Sequence, residues 1–385
     1  MVQQAIRSTC SYCGVGCGVL IDYDRQTGLI DLKGNDDYPV NRGMLCAKGM
    51  NLHHSVMSVE DRLTTPMMRA NRQLPLQASS WDDALKRTAK VFSSLIDQFG
   101  PDSVGFYVSG QLLTEEYYIV NKLMKGFIGS NNIDTNSRLC MSSAVVAQKK
   151  AFGEDSVPVC YDDIEAADCL LIAGANPAWC HPILFRRMEA AKQNNPQVKW
   201  IVVDPRQTQS TQMADLHLQI IPGTDIHVFH GLARRLIETD RIDHTFIAQH
   251  VNGFEALREQ VMSCSLDDYA AAAGIRTDDL VLAADWIADA QGFLSMWTMG
   301  LNQSVIGVNK NLALINLSLI TGKIGRPGNG PFSLTGQPNA MGGREVGGLA
   351  TMLAVHKDIQ NPQHRAEVAQ FWGVPPERIS AQPGL

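Results

Sequence analysis

The chain has 385 residues, of which 45% are hydrophobic and 19% are charged. These proportions are ordinary for a globular protein, and the length suits two or three domains. The formal net charge is -6 and no stripe of Lys and Arg is present, so we expect no nucleic-acid partner. No apolar run approaches the roughly 20 residues that cross a bilayer, and no export signal is visible. We therefore expect a cytoplasmic protein without membrane insertion.

The first 60 residues are rich in Cys and Gly, which predicts a small domain built around a metal centre. Cys10, Cys13 and Cys17 are closely spaced, and Cys46 lies in a later segment. A 4Fe-4S cluster takes one thiolate per iron, whereas zinc sites generally pair their ligands two and two. The three-plus-one spacing therefore predicts a 4Fe-4S cluster. Lys48 is either a cation that raises the cluster potential or bridges to a neighbouring cofactor, or a surface lysine.

The next segment predicts a helix that leads into a sheet. Ser80 is a typical N-cap, Gly100 and Pro101 end the helix, and a strand is predicted from Ser103. The apolar face of this helix is formed by Trp81, Leu85, Phe92, Leu95 and Ile96.

Cys140 stands alone, directly before a run of residues that is typical of a helix. A thiol at a helix N-terminus beside Arg138 is predicted to be a thiolate, and thus a nucleophile or a soft metal ligand. A single cysteine is also often inert packing, so these residues alone leave both interpretations open. The other cysteines have no paired spacing and are expected in or near the core: Cys160, Cys169, Cys180 and Cys264.

The middle of the chain carries the clearest α/β pattern. Apolar runs at 169–173 and 199–203 flank a helix predicted over 182–193, which is a strand, helix and strand unit with a right-handed crossover. Residues 216–240 repeat the pattern. The sequence therefore predicts an α/β fold with a doubly wound, mostly parallel sheet of the Rossmann-like type. Ligands of such sheets bind beyond the carboxyl ends of the strands.

Two glycine-rich segments follow, at 296–311 and 331–348. Their glycines allow the backbone to approach a large ligand closely, and Asn302 and Arg344 offer donors for anionic or carbonyl groups. Together with the doubly wound sheet, these segments predict an extended cofactor that carries phosphate.

These segments resemble the molybdopterin oxidoreductases that bind two guanine dinucleotide pterins, and among them the assimilatory nitrate reductase catalytic subunits. The resemblance implies that the four N-terminal thiols hold a 4Fe-4S cluster, that Lys48 lies between cluster and pterin, and that Cys140 is the molybdenum ligand. The implied guanine dinucleotide positions are Gly174, Asn176, Pro177, Asp204 and Arg206. The implied pterin and active-site wall positions are Gln111, Met299, Gly300, Asn302, Gln303, Gly336, Gln337 and Arg344.

The resemblance also implies three parts of the chain. These are a 4Fe-4S domain at 1–62, a discontinuous α/β domain near the pterin at 63–138 and 330–385, and a Rossmann-like domain at 139–329 that binds one guanine dinucleotide. Relatives of this kind are considerably longer. We therefore expect the carboxyl-terminal pterin-binding domain to be missing here or to be supplied by a companion chain.

The implied activity is the reduction of nitrate to nitrite by oxygen atom transfer at a Cys-ligated molybdenum bis-pterin centre. Electrons would pass through the 4Fe-4S cluster from ferredoxin, flavodoxin or an NADH-linked flavoprotein subunit. Arg344 is the candidate that steers nitrate, because a guanidinium stays cationic and forks onto planar oxyanions.

Two other functions stay open. A formate dehydrogenase-like subunit usually carries His after its metal ligand, where it can handle a proton. Here that position is Met141, whose thioether cannot accept a proton, so this alternative is disfavoured. A noncatalytic iron-sulfur electron carrier is the second alternative, and Cys140 argues against it.

Overall fold

The computed structural model describes residues 5–384, and its N-terminal region is a small antiparallel sheet beside the cysteine loops. The elements of this region are β1 (Ile6–Thr9), β2 (Gly18–Tyr23), β3 (Ile30–Gly34), α1 (Ala47–Met50) and α2 (His54–Met57). β2 is the central strand and pairs with both neighbours. Cys10, Cys13 and Cys17 lie on the loop between β1 and β2, and Cys46 directly precedes α1. The fold thus brings the separate fourth cysteine back to the first three.

The second region carries long helices and two small sheets. Its elements are β4 (Met67–Met68), β5 (Gln77–Ala78), α3 (Trp81–Phe99), β6 (Phe106–Val108), α4 (Thr114–Asn121), β7 (Ile133–Thr135) and α5 (Ser137–Phe152). β4 and β5 pair in antiparallel fashion, whereas β6 and β7 form a parallel pair. α4 continues directly into a π-helix at Lys122–Ile128.

Helix α3 begins as predicted, but the strand after it does not. The Ser80 hydroxyl accepts a hydrogen bond from the N–H of Asp83 at 3.1 Å, which caps the helix. The strand predicted from Ser103 begins only at Phe106, because Pro101–Ser103 forms a short 3-10 helix. The Ser103 hydroxyl, which donates to the Gly100 carbonyl at 2.7 Å, closes this turn and delays the strand.

The apolar face of α3 is covered only in part, where Phe92 packs edge to face on Phe106 of β6 with ring centroids 6.0 Å apart. None of the 19 residues of α3 is buried, and Trp81 and Leu85 are 68% and 61% exposed. The neighbouring β6–β7 pair has only two strands and covers little of the helix. Trp81 and Leu85 are therefore an exposed apolar part of this face, whereas Phe92, Leu95 and Ile96 are half-buried.

The third region is a five-stranded parallel sheet with helices on both faces. Its strands are β8 (Cys169–Ala173), β9 (Lys199–Val203), β10 (Leu216–Leu218), β11 (Phe293–Trp297) and β12 (Gly330–Ser333). Its helices are α6 (Asp163–Ala166), α7 (Pro177–Cys180), α8 (Pro182–Asn194), α9 (Asp225–Glu238), α10 (His244–His250), α11 (Phe254–Met262), α12 (Leu266–Ala273), α13 (Thr277–Asp289), α14 (Met299–Asn302) and α15 (Gly307–Ile320). A 3-10 helix spans Gln209–Met213.

The strand order is β10-β9-β8-β11-β12, and every neighbouring pair is parallel. The chain winds outward in one direction from β8 and then in the other from β11, so the predicted doubly wound sheet is confirmed. β8 and β9 have the predicted bounds, and α8 ends one residue beyond the predicted 193. The order reverses between β8 and β11, which makes the carboxyl ends of these two strands the expected ligand crevice.

The core lies on both faces of this sheet. Alternate strand residues point to opposite faces, so Leu171 packs against α9, α13 and α15, while Leu170 packs toward α8 and the N-terminal region. Both residues are at most 1% exposed. Burial on both faces explains why β8 is a continuous apolar run. Cys10 and Cys17 belong to the second cluster, so the cysteine loop packs directly on the parallel sheet.

The last region returns to the second. Its elements are α16 (Ala340–Glu345), β13 (Met352–Leu353), β14 (Lys357–Asp358), α17 (Pro362–Trp372) and a 3-10 helix at Pro376–Arg378. α16 packs on α4, and α17 packs on the π-helix. The discontinuous domain at 63–138 and 330–385 stays a prediction. Across residues 5–384, every helix is too short or too polar to span a membrane.

The four isolated cysteines are mostly not core residues. Cys169 is fully buried on β8, as predicted. The prediction is wrong for Cys160, Cys180 and Cys264, which are exposed in loops or at helix ends. Each lies in a loop or at the end of a helix, where the chain meets solvent, rather than on a strand of the sheet as Cys169 does.

Candidate metal and cofactor site

The four N-terminal thiols line one enclosed cavity, which is closed on other sides by residues such as Leu45 and Ile183. Burial raises the pKa of the Cys10 thiol and raises that of Cys17 to about 12, and the neighbouring thiols add to both shifts. Mutual repulsion of this kind requires sulfurs that lie close together. A positive metal centre reverses the effect and deprotonates such thiols.

Donors and a cation surround these sulfurs. The N–H of Tyr12 donates to Cys10 and that of Val15 to Cys13, and each bond lowers the pKa of its thiol. The charge of Lys48 acts in the same direction on both thiols. Such donors stabilise the anionic sulfurs of an iron-sulfur cluster, so the residues fit the predicted 4Fe-4S group.

Among residues 5–384, no three side chains of His, Cys, Asp or Glu are gathered closely enough to hold a single metal ion. A cube of four irons takes one thiolate on each iron, and its ligands are spread more widely than those of one ion. The fit of the four thiols to a cluster therefore rests on their shared cavity.

Cys140 lies in the first turn of α5 and is 4% exposed. Its sulfur lies 3.3 Å from that of Met299. Burial raises the pKa of the thiol, whereas the N–H of Gly336, the side chain of Gln337 and the charge of Arg344 lower it. Four residues that the resemblance placed in the active-site wall thus converge on one sulfur.

Arg138 is not the cation beside Cys140. Its Nε lies 2.7 Å from Oδ2 of Asp134, four residues earlier, which turns the guanidinium to another partner. The predicted thiolate is also wrong for the metal-free chain, because burial outweighs the favourable donors and keeps the pKa above its ordinary value. Metal binding would supply the charge that the thiolate needs.

Helix α14 fixes the residues around Cys140. The amide of Asn302 donates to the sulfur of Met141 at 3.5 Å, and its oxygen accepts from the Trp297 indole at 3.2 Å. The Gln303 amide donates to the carbonyl of Leu139 at 3.3 Å. Met141 is 2% exposed. Its side chain is a thioether, which does not accept a proton, so this position of the site offers no base.

A buried ion pair completes this part of the site. Nη1 of Arg344 lies 3.1 Å from Oδ1 of Asp155, and Nη2 contacts the sulfur of Met341. Burial lowers the pKa of Arg344, and Asp155 opposes that shift. Oδ2 of Asp155 is buried without a hydrogen-bond partner among the described residues. Sequence reasoning missed Asp155 because its partner lies 189 residues away.

The predicted dinucleotide residues begin at the point where the strand order reverses. Gly174 follows β8 with a φ of 54°, and its carbonyl accepts from the Gly300 N–H at 3.0 Å and the Thr298 hydroxyl at 2.9 Å. A Cβ on Gly300 would lie 2.5 Å from the Gly174 Cα, so this approach requires glycine. The Asn176 side chain accepts from the Ser210 hydroxyl at 2.6 Å.

Of the other predicted cofactor residues, Pro177 and Asp204 lie along the same edge, whereas Gln111 follows a strand of the separate β6–β7 pair. Pro177 opens α7, and Asp204 follows β9 and accepts from the Arg206 N–H at 2.8 Å. Gln111 is exposed on the loop after β6. The N–H of its neighbour Gly110 donates to Oδ1 of Asn136, the residue before α5, at 2.6 Å. Assignment of these residues to one guanine dinucleotide and to the pterin wall stays a prediction.

The two predicted centres adjoin through one backbone contact. The N–H of Gly14, in the cysteine loop, donates to the carbonyl of Gly336 at 2.9 Å. A Cβ on Gly14 would lie 2.1 Å from the Thr335 carbonyl oxygen, so only glycine fits there. The Tyr161 hydroxyl donates to the Gly14 carbonyl at 3.2 Å. Sequence reasoning did not identify this contact, because it joins segments more than 300 residues apart.

Comparison with known families agrees with this geometry. The sequence profile of the molybdopterin oxidoreductases matches residues 62–375, and that of the molybdopterin oxidoreductase Fe4S4 domain matches residues 3–58. The chain belongs to the molybdopterin oxidoreductase family and carries its Fe4S4 domain, which supports a molybdopterin cofactor and a 4Fe-4S cluster.

The chain is also similar to individual proteins. It is 45% identical to a nitrate reductase of Synechocystis sp. over 98% of this chain and 54% of that protein. It is 41% identical to a periplasmic nitrate reductase of Desulfovibrio desulfuricans over 98% of this chain and 51% of that protein. It is 38% identical to an assimilatory nitrate reductase of Haloferax mediterranei over 100% of this chain and 52% of that protein.

Among solved structures, acetylene hydratase from Pelobacter acetylenicus shares the fold with a TM-score of 0.73 and 25% identity. The match covers 83% of this chain and 43% of that one. The chain thus spans about half the length of the curated relatives that it matches.

Proposed function

We propose that this chain is the N-terminal part of a molybdenum nitrate reductase, which reduces nitrate to nitrite by oxygen atom transfer. In this proposal Cys140 ligates molybdenum, and Cys10, Cys13, Cys17 and Cys46 hold the 4Fe-4S cluster that delivers the electrons. Similarity to proteins named nitrate reductases over nearly the whole chain supports it.

One structural observation carries the proposal. The segment whose N–H points at the Cys140 sulfur also accepts a hydrogen bond from Gly14 in the cysteine loop, at 2.9 Å. The thiol that would hold molybdenum and the thiols that would hold the cluster are therefore joined by one short stretch of backbone. That closeness suits a centre that receives electrons singly from a cluster.

When bound, molybdenum bis(molybdopterin guanine dinucleotide) supplies the two-electron centre that accepts one oxygen from nitrate. Cys140 contributes a thiolate to that centre. The Arg344 guanidinium, held by Asp155, attracts and orients the planar oxyanion beside the sulfur. Met141 and Met299 form apolar walls that limit water in the crevice.

Lys48 has a supporting role in the proposal. Its charge reaches the thiols of Cys10 and Cys13 and also the buried ring of His181, which lies toward the Cys140 side. The reduced cluster is more negative than the oxidised one, so a cation in this place stabilises the reduced form. It therefore raises the reduction potential of the cluster. Ferredoxin, flavodoxin or an NADH-linked flavoprotein subunit is the proposed electron donor.

The residue after the metal ligand separates nitrate reduction from formate oxidation. Formate oxidation needs a base near the metal, and Met141 offers none. The residues within reach of Cys140 are a second thioether, an amide and a guanidinium, which are not bases at neutral pH.

A paired assay tests the proposal. The full-length enzyme is incubated with reduced viologen and nitrate, and separately with oxidised viologen and formate, and its iron and molybdenum are quantified. We expect nitrate consumption, no formate oxidation, and both metals. Formate oxidation would favour the formate dehydrogenase-like alternative, and iron without molybdenum would favour an electron carrier.

The chain covers only part of its relatives, so the second pterin is proposed to need polypeptide beyond these residues. A carboxyl-terminal segment or a companion chain would supply it. A cytoplasmic location stays a prediction, because the similar proteins include both an assimilatory and a periplasmic nitrate reductase.

A further inference from the structure

One buried histidine that the sequence did not single out lies beside the segment that joins the two centres. His181 precedes α8 and is 1% exposed. Its Nε2 lies 2.7 Å from the carbonyl oxygen of Thr335. A carbonyl only accepts hydrogen bonds, so Nε2 carries the proton and donates. Nδ1 is buried and has no hydrogen-bond partner among the described residues, so this one bond fixes the ring.

The Thr335 carbonyl and the Gly336 N–H belong to the same peptide group, and that N–H points at the sulfur of Cys140. Gly336 lies beside the same sulfur in space, because a Cβ on Gly336 would be 3.5 Å from Cε of Met299, whose sulfur is 3.3 Å from that of Cys140. The imidazole N–H, the peptide group and the sulfur therefore form a chain of two hydrogen bonds. In such a chain each bond polarises the next, and the effect grows where water is excluded. His181 and Cys140 are both buried, and His181 and Thr335 line a cavity of about 390 Å³.

The cysteine loop holds the same peptide from the other side. The Gly14 Cα packs against the Thr335 carbonyl so closely that a Cβ would clash at 2.1 Å. The N–H of Gly14 also donates to the Gly336 carbonyl, which belongs to the next peptide group, at 2.9 Å. The Thr335–Gly336 peptide is thus clamped between His181 and the cysteine loop, and its N–H has a fixed direction.

We propose that His181 is a positioning residue, which acts through the Thr335–Gly336 peptide to aim and strengthen one hydrogen bond to the Cys140 sulfur. Hydrogen bonds to a sulfur ligand withdraw electron density and raise the reduction potential of the metal that it binds. His181 thereby tunes the molybdenum centre without touching substrate or cofactor. The effect on the metal rests on the proposed function, whereas the hydrogen-bond chain is a property of this chain alone.

The first experiment measures the hydrogen-bond chain in the 385-residue chain without cofactor. Amide hydrogen exchange at Gly336 is compared in the wild type, in His181→Phe, and in His181→Gln, whose amide nitrogen reaches the place of Nε2. We expect exchange to be about tenfold faster in His181→Phe and close to wild type in His181→Gln. Unchanged exchange in His181→Phe, or no rescue by His181→Gln, would overturn the proposal.

The second experiment measures the metal in the full-length enzyme. We expect the midpoint potential of the molybdenum couple to shift to more negative values in His181→Phe and to return in His181→Gln. His230→Phe, which changes a half-buried histidine on α9, is the matched control and should not shift it. An unshifted potential in His181→Phe, despite faster exchange at Gly336, would overturn the tuning role.

Two safeguards keep the outcomes distinct. If His181→Phe does not fold, His181→Asn replaces it, because the shorter amide stays polar but cannot reach the Thr335 carbonyl. If the full-length enzyme holds no molybdenum, the proposed function fails, and the exchange measurement alone decides whether His181 orients the Gly336 N–H.

Discussion

The guanidinium of Arg344 is buried, so its charge needs partners inside the protein. Among the described residues, Asp155 accepts from Nη1 at 3.1 Å, and the Arg344 charge also reaches the Cys140 thiol. A nitrate oxygen beside that thiol would add a further charge-assisted hydrogen bond. The role of Arg344 in binding nitrate was predicted from the sequence, and its partner Asp155 adds a means of orienting it.

We expect Arg344→Ala to raise the nitrate KM by roughly ten- to a hundredfold, because a hydrogen bond to a charged group contributes about 1.5–3 kcal/mol. Arg344→Lys should give an intermediate KM, because a lysine keeps the charge but loses the planar fork. Steady-state rates with reduced viologen measure both. The exposed Arg72 gives the control variant Arg72→Ala, and an unchanged KM in Arg344→Ala would remove the assigned role.

Lys125 on the π-helix is a second buried cation. It is 0% exposed, and its ammonium donates to the carbonyls of Gly347 at 2.6 Å, Leu349 at 3.0 Å and Met352 at 2.5 Å. In the protonated form, one N–H meets each of the three acceptors, and these contacts tie the segment after Arg344 to the helix. Burial lowers the pKa of Lys125 to about 7, whereas an unfolded lysine titrates near ~10.4.

This shift predicts a pH dependence of stability. Between pH 7 and about 10 the unfolded chain binds more protons than the folded chain, so the free energy of unfolding rises with pH. Relative to Lys125→Met, we expect the wild type to gain up to about 1.4 kcal/mol per pH unit in this range, and nothing below it. Urea unfolding at several pH values measures the difference. Lys122→Met, on the same π-helix, is the control, and parallel curves for Lys125→Met and wild type would contradict the shift.

At the scale of elements, α3 differs from the helices of the parallel sheet. The helices α9, α13 and α15 bury their apolar residues against the strands, whereas α3 leaves Trp81, Leu85 and Phe99 more than 60% exposed. An exposed apolar surface of this kind promotes association between chains.

We expect Leu85→Glu to change the free energy of unfolding by less than about 0.5 kcal/mol and to reduce self-association of the 385-residue chain. Leu171→Ala on β8 should instead cost about 2–5 kcal/mol, because Leu171 is fully buried. Denaturant unfolding and sedimentation at rising concentration test both. A loss of stability in Leu85→Glu as large as that in Leu171→Ala would show that this face is buried in solution.

At the scale of the whole molecule, the cysteine loop and α1 close around one cavity and pack on the parallel sheet. Replacing Cys46 by Ala removes the one thiol that comes from the second segment. We expect the purified variant to contain less iron than the wild type and to lose the visible absorption of a 4Fe-4S cluster. Cys264→Ala, which alters an exposed cysteine, should keep both. Full iron content in Cys46→Ala would show that this cysteine is not a ligand.

Local patterns were enough to predict much of the fold. The bounds of β8 and β9 and the Ser80 cap follow from apolar runs and from a capping side chain, which depend on neighbours in sequence. The late start of β6 and the exposed part of the apolar face of α3 were not predictable in this way. The first depends on a hydrogen bond of Ser103, and the second on how few strands lie beside the helix.

The candidate site shows the same division. The spacing of Cys10, Cys13 and Cys17 was enough to predict a 4Fe-4S cluster. Cys140 was predicted as a molybdenum ligand only from the resemblance to a family. Asp155 and His181 were missed because their partners, Arg344 and Thr335, lie 189 and 154 residues away. Nothing in one sequence pairs residues at such separations, and only the folded sheet brings them together. The prediction that Arg138 is the partner of Cys140 was wrong, because it was based only on their closeness in sequence. In the structure, Arg138 pairs with Asp134.

The bond between the Cys140 sulfur and molybdenum is the central element of the proposed function. X-ray absorption at the molybdenum edge, recorded on the full-length enzyme and on its Cys140→Ser variant, counts the sulfur ligands directly. We predict one sulfur neighbour fewer in the variant, with the 4Fe-4S cluster intact. The same number of sulfur neighbours in both proteins would show that Cys140 does not ligate molybdenum.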